Sequence, residues 1–366
     1  MLCGMGYANH FPLPRLYCTT IVLSMSNCAI VLRMQNFWQK LARPFFVLAP
    51  MEDVTDVAFR TLIAKFASPD VSRVFYTEFT SADGLIRANE HGKRKILKKL
   101  EYSNSERPIV AQLFTSNLEH MEAAAKVCRE LGFDGFDINM GCPAREVERQ
   151  NCGAALIKDP AHARALIRAA KRGFEGPISV KTRIGYNEDE LETWLPELLA
   201  EEPAAVVLHA RTRKEMSEVP ARWERVARAV EIRDALKSST LILGNGDVKD
   251  IADARAKVTA SGADGAMLGR AVFGNPWLFQ YSPTCAEASA GGQEHQNKTS
   301  EEKIRALIEH IKLFQKMMSG YQNDAVMKRH FKAYIGGWDG AKELRTRLMD
   351  AATLQEANNI LQELVS

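Results

Sequence analysis

Several absences narrow the reading of this chain before any motif is considered. Cysteine is sparse, seven in 366 residues, odd in number and without a CxxC pair, so a zinc or iron–sulfur framework is disfavoured. Such thiols suit free side chains in a reducing compartment, and a cytoplasmic location is expected. Glycine and proline are few (23 and 14), which excludes collagen-like and low-complexity classes. Charge of either sign is barely in excess, at a net +3, so only local clustering can point to a nucleic acid. No GxGxxG follows the first β-forming run, which counts against a dinucleotide-binding sheet. Acidic residues are missing before Glu52, whereas Arg15, Arg33, Lys40 and Arg43 precede it. Residues 16–32 carry no charge, but seventeen residues diluted by Thr, Ser and Asn are marginal for a span, and no membrane association is expected. A basic, acid-poor start also suits a transit-type leader. The preferred reading is an extension, residues 1–43, outside the fold, with Met34 opening a natural chain.

What is present is regular. Hydrophobic residues make up 46% and charged residues 25%, which are globular proportions. From residue 44 short β-forming runs alternate with helical stretches: FFVLAPM (45–51), VFYTEF (74–79), IVAQLF (109–114), FDINM (136–140), ISVKTRI (178–184), AVVLHAR (205–211), TLILGNG (240–246) and GAMLGR (265–270). Several are apolar at consecutive positions, as strands covered on both faces are. Asn117–Leu131 is amphipathic, and Asp159-Pro160 supplies an N-cap and a first-position proline to the next helix. Eight alternations predict an α/β fold, a (β/α)8 TIM barrel over residues 44–281, with a doubly wound sheet as the alternative. Residues 282–300 lack periodicity and read as a linker. Thr299 and Ser300, followed by Glu301 and Glu302, open a helix. Residues 301–366 predict a small helical domain, too short for a large core and expected to pack on the barrel.

Such a barrel carries its chemistry at the C-terminal ends of its strands. There the sequence places Met51-Glu52-Asp53, Gln112, Asn139 to Pro143, Lys181 to Arg183, His209 to Arg213, Gly244 to Asp247 and Gly269-Arg270. The glycine turns after the last two strands are where barrels hold a phosphate on backbone N–H groups. Lys181 suits an anion, such as the pyrimidine end of a reduced flavin, and His209 can hydrogen-bond the same ring. The plain alternatives are ordinary turns, a lysine that snorkels to the surface and a structural histidine. Cys142, in a turn between Gly141 and Pro143, is a proton donor near its reference pKa of about 8.5 and a nucleophile if neighbours lower it; an inert thiol is the bland reading. Basic residues cluster in 87–99, with Lys93, Arg94 and Lys98, and in the helical segment, with Lys328, Arg329 and Lys332. Either cluster alone is a solvated helix face; together they favour a polyanion.

The ordered set PMEDVTD, DINMGCPA, GAALIKDP, KTRIGY, HARTR, GNGDV and GADGAMLGRAVFGNPWLF, with KRHFKAYIGGWDGAKELRTRL near the end, resembles the tRNA-dihydrouridine synthase family from about residue 44 to 364. The resemblance implies an FMN-dependent TIM barrel with a helical tRNA-binding domain. It implies reduction of a D-loop uridine to dihydrouridine, with NADPH or NADH as reductant. It makes Cys142 the proton donor. It assigns FMN to Pro50, Met51, Gln112, Asn139, Lys181, His209, Asn245, Gly246, Asp247, Gly269 and Arg270. Asn139, Arg183 and Arg211 are expected on the substrate side, and Lys93, Arg94, Lys98, Lys328, Arg329 and Lys332 on tRNA. A monomer without a stable protein partner, and no metal site, are expected. Two stretches depart from the family pattern: Glu52-Asp53, where Ala-Gly is common, and KEMSEVPARW (214–223), where a Gly and a Tyr often precede a Trp. The rival readings are an FMN barrel oxidoreductase on a small molecule such as a dihydropyrimidine, and a silent RNA-binding module.

Overall fold

The computed structural model describes residues 36–280 and 298–365. β1 (Phe45–Leu48), β2 (Arg73–Tyr76), β3 (Thr80–Ser81), β4 (Ile109–Phe114), β5 (Gly135–Met140), β6 (Ile178–Arg183), β7 (Ala205–His209), β8 (Leu241–Asn245) and β9 (Gly265–Leu268) form one parallel sheet. It closes on itself, because β1 pairs with both β2 and β9 while β2 also pairs with β4. β3 continues β2 along β4, with Thr80 opposite Leu113 beyond Tyr76 opposite Val110. Two short strands therefore share one stave, and the barrel has the eight staves predicted; the doubly wound alternative falls.

Side chains alternate across a strand, and the two faces are filled differently. Outward residues such as Phe46, Leu48, Ile138 and Val206 join the main core under the helices. Inward residues near the strand starts, among them Phe45, Val47, Val110, Val207 and Leu243, form a separate apolar plug. Trp38, in the 3-10 turn Phe37–Lys40, completes that plug: it is fully buried, with its ring 4.8 Å from Phe37 and 5.6 Å from Phe45. The boundary expected at residue 43 is thereby corrected, since the barrel unit begins at Asn36 with an aromatic that closes its floor. Residues 1–35 and most of the expected linker lie outside the described residues. Further along the same inward face the residues turn polar: Gln112, Asp137, Asn139, Ser179, Lys181, Arg183, His209 and Asn245. The strand ends thus present a polar bowl over an apolar floor.

Around the barrel run α1 (Val57–Phe66), α2 (Ala82–Arg87), α3 (Glu90–Lys99), α4 (Leu118–Glu130), α5 (Arg145–Glu148), α6 (Pro160–Phe174), α7 (Leu191–Leu199), α8 (Trp223–Ala235) and α9 (Ile251–Ser261). Asn117 and Asp159 cap α4 and α6 by accepting from His120 and His162 N–H. α10 (Ser300–Met318), α11 (Met327–Tyr334), α12 (Ala341–Asp350) and α13 (Leu354–Gln362) follow, and Thr299 and Glu302 form a reciprocal capping box at the start of α10. Leu307, Ile311 and Phe331 of this region join the same core cluster as Phe59 and Leu62 of α1. Phe59 stacks on His310 at 4.7 Å and meets the edge of His330 at 4.9 Å. At Gly274, whose φ is 66°, any Cβ would stand 2.2 Å from the Ala333 carbonyl oxygen, so the loop after β9 lies directly under the end of α11. Among the described residues no helix is long and apolar enough to cross a membrane; residues 16–32 lie outside them.

Candidate active site at the barrel mouth

The turn that carries Cys142 is braced from three sides. Asn139 Oδ1 accepts from the N–H groups of Gly141 at 3.1 Å and Cys142 at 2.9 Å, a local turn of the kind short amide side chains stabilise. The Cys142 carbonyl accepts from Ala154 N–H at 3.0 Å. Beside it Gly153, at φ 62°, sits so close that a Cβ would stand 2.6 Å from that oxygen. From β6, Arg183 Nε donates to the Gly141 carbonyl at 2.8 Å. Burial pushes the half-buried Cys142 thiol above its ordinary value, against the pull of the Ala144 N–H, Lys181 and Arg183. A thiol held neutral is a proton donor rather than a ready nucleophile.

Lys181 stands in register with Asn139 on one side and Val207 on the other. Burial, then the Arg183 charge, brings its ammonium down to about 8. Among the described residues no hydrogen bond or ion pair ties its Nζ down. Arg211 Nη1 lies 3.2 Å from His209 Nε2; a guanidinium only donates, so Nε2 accepts and the ring proton is on Nδ1. Burial, then Arg183 and Lys181, hold this imidazole well below its usual value and hence neutral. At the ends of β8 and β9, Asn245 Nδ2 donates to the Met267 carbonyl at 2.8 Å. Gly246, at φ 119°, approaches the Ala221 and His209 side chains to 2.8 and 3.1 Å from where a Cβ would be. Asp247 accepts from Ala221 N–H at 2.8 Å and pairs with Arg211 and Arg270. A Cβ on Gly269 would lie 3.6 Å from Met51 Sδ, which brings the Pro50-Met51 loop against the same two turns. An uncommitted cation, a neutral imidazole and two adjacent backbone turns of this kind could hold a cofactor that carries an electron-rich ring edge and a phosphate.

Several residues expected on the substrate or the tRNA side have partners of their own within the chain. Arg183 and Arg211 are 5% and 2% exposed. Besides Gly141, Arg183 donates to the Thr212 and Met216 carbonyls at 2.9 and 3.0 Å, and Arg211 donates to Val219 O, His209 and Asp247. Both guanidinium groups tie the ends of their strands to the departing 214–223 stretch, Arg183 through Met216 and Arg211 through Val219. Of the basic residues, Arg94, Arg329 and Lys332 are exposed and Lys93 is half-buried. Lys98 pairs with Glu101 at 2.6 Å and lies 5.0 Å over the Tyr321 ring. Lys328 Nζ donates to the Met349 carbonyl at 2.6 Å. Arg329 donates to the Glu52 carbonyl at 3.3 Å and lies 3.4 Å from Asp53 Oδ2. These three hold parts of the molecule together. The unusual Glu52-Asp53 pair acquires a reason: Lys99 of α3 binds Glu52, Gln322 Nε2 donates to Asp53 at 2.9 Å, and Asp53 N–H donates to buried Glu78 at 2.6 Å. The loop after β1 is therefore stitched to α3 and to the helical region. Sequence reasoning missed Trp38, Glu78 and Asp137. Strand alternation was the available signal for Asp137, which shares a face with Asn139 two residues on.

Residues 47–366 match the family model described as Dihydrouridine synthase (Dus). The chain belongs to the dihydrouridine synthase family. A probable tRNA-dihydrouridine synthase of Staphylococcus aureus (strain COL) is 38% identical over 335 residues, 90% of this chain and 95% of that one. A probable tRNA-dihydrouridine synthase 2 of Bacillus subtilis (strain 168) is also 38% identical, over 90% of this chain and 96% of its own. Among solved structures, histamine dehydrogenase from Rhizobium sp. 4-9 aligns with a TM-score of 0.46 at 13% identity, over 73% of this chain and 48% of that one. As a dihydrouridine synthase family member the chain is an oxidoreductase, and its barrel mouth is the natural seat of that chemistry.

Proposed function

We propose that this chain reduces a D-loop uridine of tRNA to 5,6-dihydrouridine, with FMN as its cofactor and NADPH or NADH as reductant. The supporting observation is the neutral Cys142 thiol in its braced turn, one strand from the uncommitted Lys181. The names of the two relatives, both tRNA-dihydrouridine synthases, support the substrate. FMN, when bound, supplies hydride to carbon 6 of the uracil. Cys142 then gives its proton to carbon 5: the S–H bond breaks as C–H forms, and the thiolate left behind is stabilised by Lys181 and Arg183 until solvent reprotonates it. Lys181 also faces the charge of the cofactor's pyrimidine edge, and His209 donates from Nδ1. Backbone groups of Asn245 to Asp247 and Gly269, with Arg270, hold the phosphate; Pro50, Met51, Gln112 and Asn139 complete the seat. The uridine must leave its stack to enter. Exposed Arg94 and Lys95 lie on α3 and exposed Lys332 on α11, the two helices whose Lys99 and Arg329 bind the loop after β1, which favours a polyanion over the small-molecule reading.

Two measurements test this. The purified protein is expected to be yellow and to release FMN; a colourless protein that takes up no FMN, or one that releases FAD, overturns the cofactor. Mass-spectrometric mapping of tRNA from a strain lacking the gene is expected to show one or more dihydrouridines missing and restored with it; an unchanged map overturns the substrate.

A further inference from the structure

Beneath the residues assigned above lies a carboxyl that the reaction does not use. Asp137 is fully buried on the inward face of β5. In register it stands beside Gln112 of β4 on one side and Ser179 of β6 on the other. Its Oδ2 accepts from Gln112 Nε2 at 2.7 Å. Its Oδ1 accepts from Ser179 Oγ at 2.6 Å and from Tyr76 OH at 3.4 Å, and these two hydroxyls are 2.9 Å apart. Every polar atom of this buried layer is thus matched to a partner, as the low dielectric of a barrel interior demands.

The layer has a direction. An amide offers one acceptor end and one donor end, so committing one end commits the other. Gln112 turns its NH2 down to Asp137 and its oxygen up, where it accepts from Asn139 Nδ2 at 3.1 Å. Asn139 then presents its own oxygen to the N–H groups of Gly141 and Cys142. The chain runs from Asp137 through two side-chain amides to the backbone of the proton donor. Without an acceptor at the Asp137 position, Gln112 would keep a buried N–H unmatched, and turning the amide over would oppose its NH2 to that of Asn139. Burial raises the Asp137 carboxyl to about 7; in either protonation state one oxygen remains to accept from Gln112, so the direction persists.

We propose that Asp137 is a positioning residue: it sets the orientation of the Gln112–Asn139 amide pair and, through it, the flavin seat and the turn that holds Cys142. This rests on the flavoenzyme reading above. The test uses Asp137→Asn, Asp137→Leu, Gln112→Leu and the double variant, and measures FMN affinity by flavin fluorescence, the visible bands of bound FMN and single-turnover reoxidation by tRNA. Asp137→Asn keeps an oxygen for Gln112 by turning its NH2 to the two hydroxyls. It is expected to hold FMN affinity within about threefold. Asp137→Leu removes the acceptor and is expected to weaken FMN about tenfold or more, with shifted flavin bands and slower reoxidation. Because Asp137 acts through Gln112, Asp137→Leu added to Gln112→Leu should cost little more than Gln112→Leu alone.

Independent, additive losses in that cycle would overturn the proposal, as would a folded Asp137→Leu with unchanged affinity and bands. If Asp137→Leu does not fold, the proposal stands or falls on Asp137→Asn: loss of FMN binding by this folded, near-isosteric variant overturns it. A parent protein that binds no FMN fails the flavoenzyme reading instead, and is recognised before any variant is made.

Discussion

Cys142 and Cys152 pack in one small apolar cluster with Phe114 and Val147, yet only one is placed to move a proton. Cys152 is fully buried, its Sγ donates to the Gln150 carbonyl at 3.2 Å, and burial pushes its thiol up to about 11. Cys142 is half-buried on the rim turn, within the field of Lys181 and Arg183, which would stabilise the thiolate it leaves. Loss of a positioned general acid slows a reaction by about 10²–10⁴-fold. Cys142→Ala is therefore expected to keep FMN and its reduction by NADPH, and to slow flavin reoxidation by tRNA within that range in rapid-mixing experiments. Cys152→Ala should slow it far less. Near-normal reoxidation in the first variant, or collapse in the second with flavin intact, would reassign the donor.

Single elements do work that their length conceals. The 3-10 turn at Phe37–Lys40 is only four residues long, and without Trp38 the apolar plug would open to water at the barrel floor. A chain starting at Met34 keeps this turn and is expected to fold and bind FMN as the full chain does. Trp38→Ala should lower stability by about 3–5 kcal/mol, the usual cost of removing a large buried aromatic. Denaturant unfolding of the two proteins checks both statements. A Met34 start that yields insoluble protein would give residues 1–33 a structural role, and an unchanged midpoint for Trp38→Ala would mean the floor closes without it.

At the scale of the whole molecule, charge and burial act across the seam between barrel and helical region. Each phosphate contact adds about 0.7–0.9 to the slope of log affinity against log salt. Arg94 and Lys332 are exposed; Arg329 is exposed as well but reaches Glu52 and Asp53, and half-buried Lys328 is held by Met349. Arg94→Ala with Lys332→Ala is expected to flatten the salt dependence of tRNA binding by about two contacts without loss of FMN. Lys328→Ala should instead lower stability; a flattened slope from Lys328→Ala alone would return that residue to the tRNA face. The same seam buries His310 and His330, rings 4.5 Å apart, with no hydrogen-bond partner for any of their four ring nitrogens among the described residues. Burial, then His330, depresses His310; burial, then Arg329, brings His330 down to about 3. Both are neutral when folded and take up protons when unfolded below 6.5, so their contribution is present above 6.5 and is lost as pH falls toward 3. Buried Asp56 and Asp137, raised to about 6 and about 7, act with the opposite sign, so the readout is a difference between proteins. His330→Phe should lose less melting temperature than the parent between about pH 7 and about pH 4. Parallel losses in the two proteins would remove His330 from the account.

The sequence by itself determined the eight staves, their order and the rim on which the chemistry sits, because strand patterning and glycine turns are local properties of consecutive residues. The same holds for Cys142, Lys181 and His209, which stand at strand ends that periodicity locates. Tertiary structure alone decided what each polar group meets. Arg183 and Arg211 read like groups waiting for a substrate, but the 214–223 loop folds back to offer them carbonyls. Lys98, Lys328 and Arg329 read like a phosphate-binding face, but Lys98 pairs with Glu101 on its own helix end and lies over Tyr321, Lys328 reaches the Met349 carbonyl, and Arg329 reaches Glu52 and Asp53 across the fold. Asp137 read as one polar residue in a strand; only the register of β4, β5 and β6 brings Gln112 and Ser179 to it. A side chain's partners depend on which strands and loops become neighbours, and that is a property of the closed barrel and its docked helices, not of any segment taken alone.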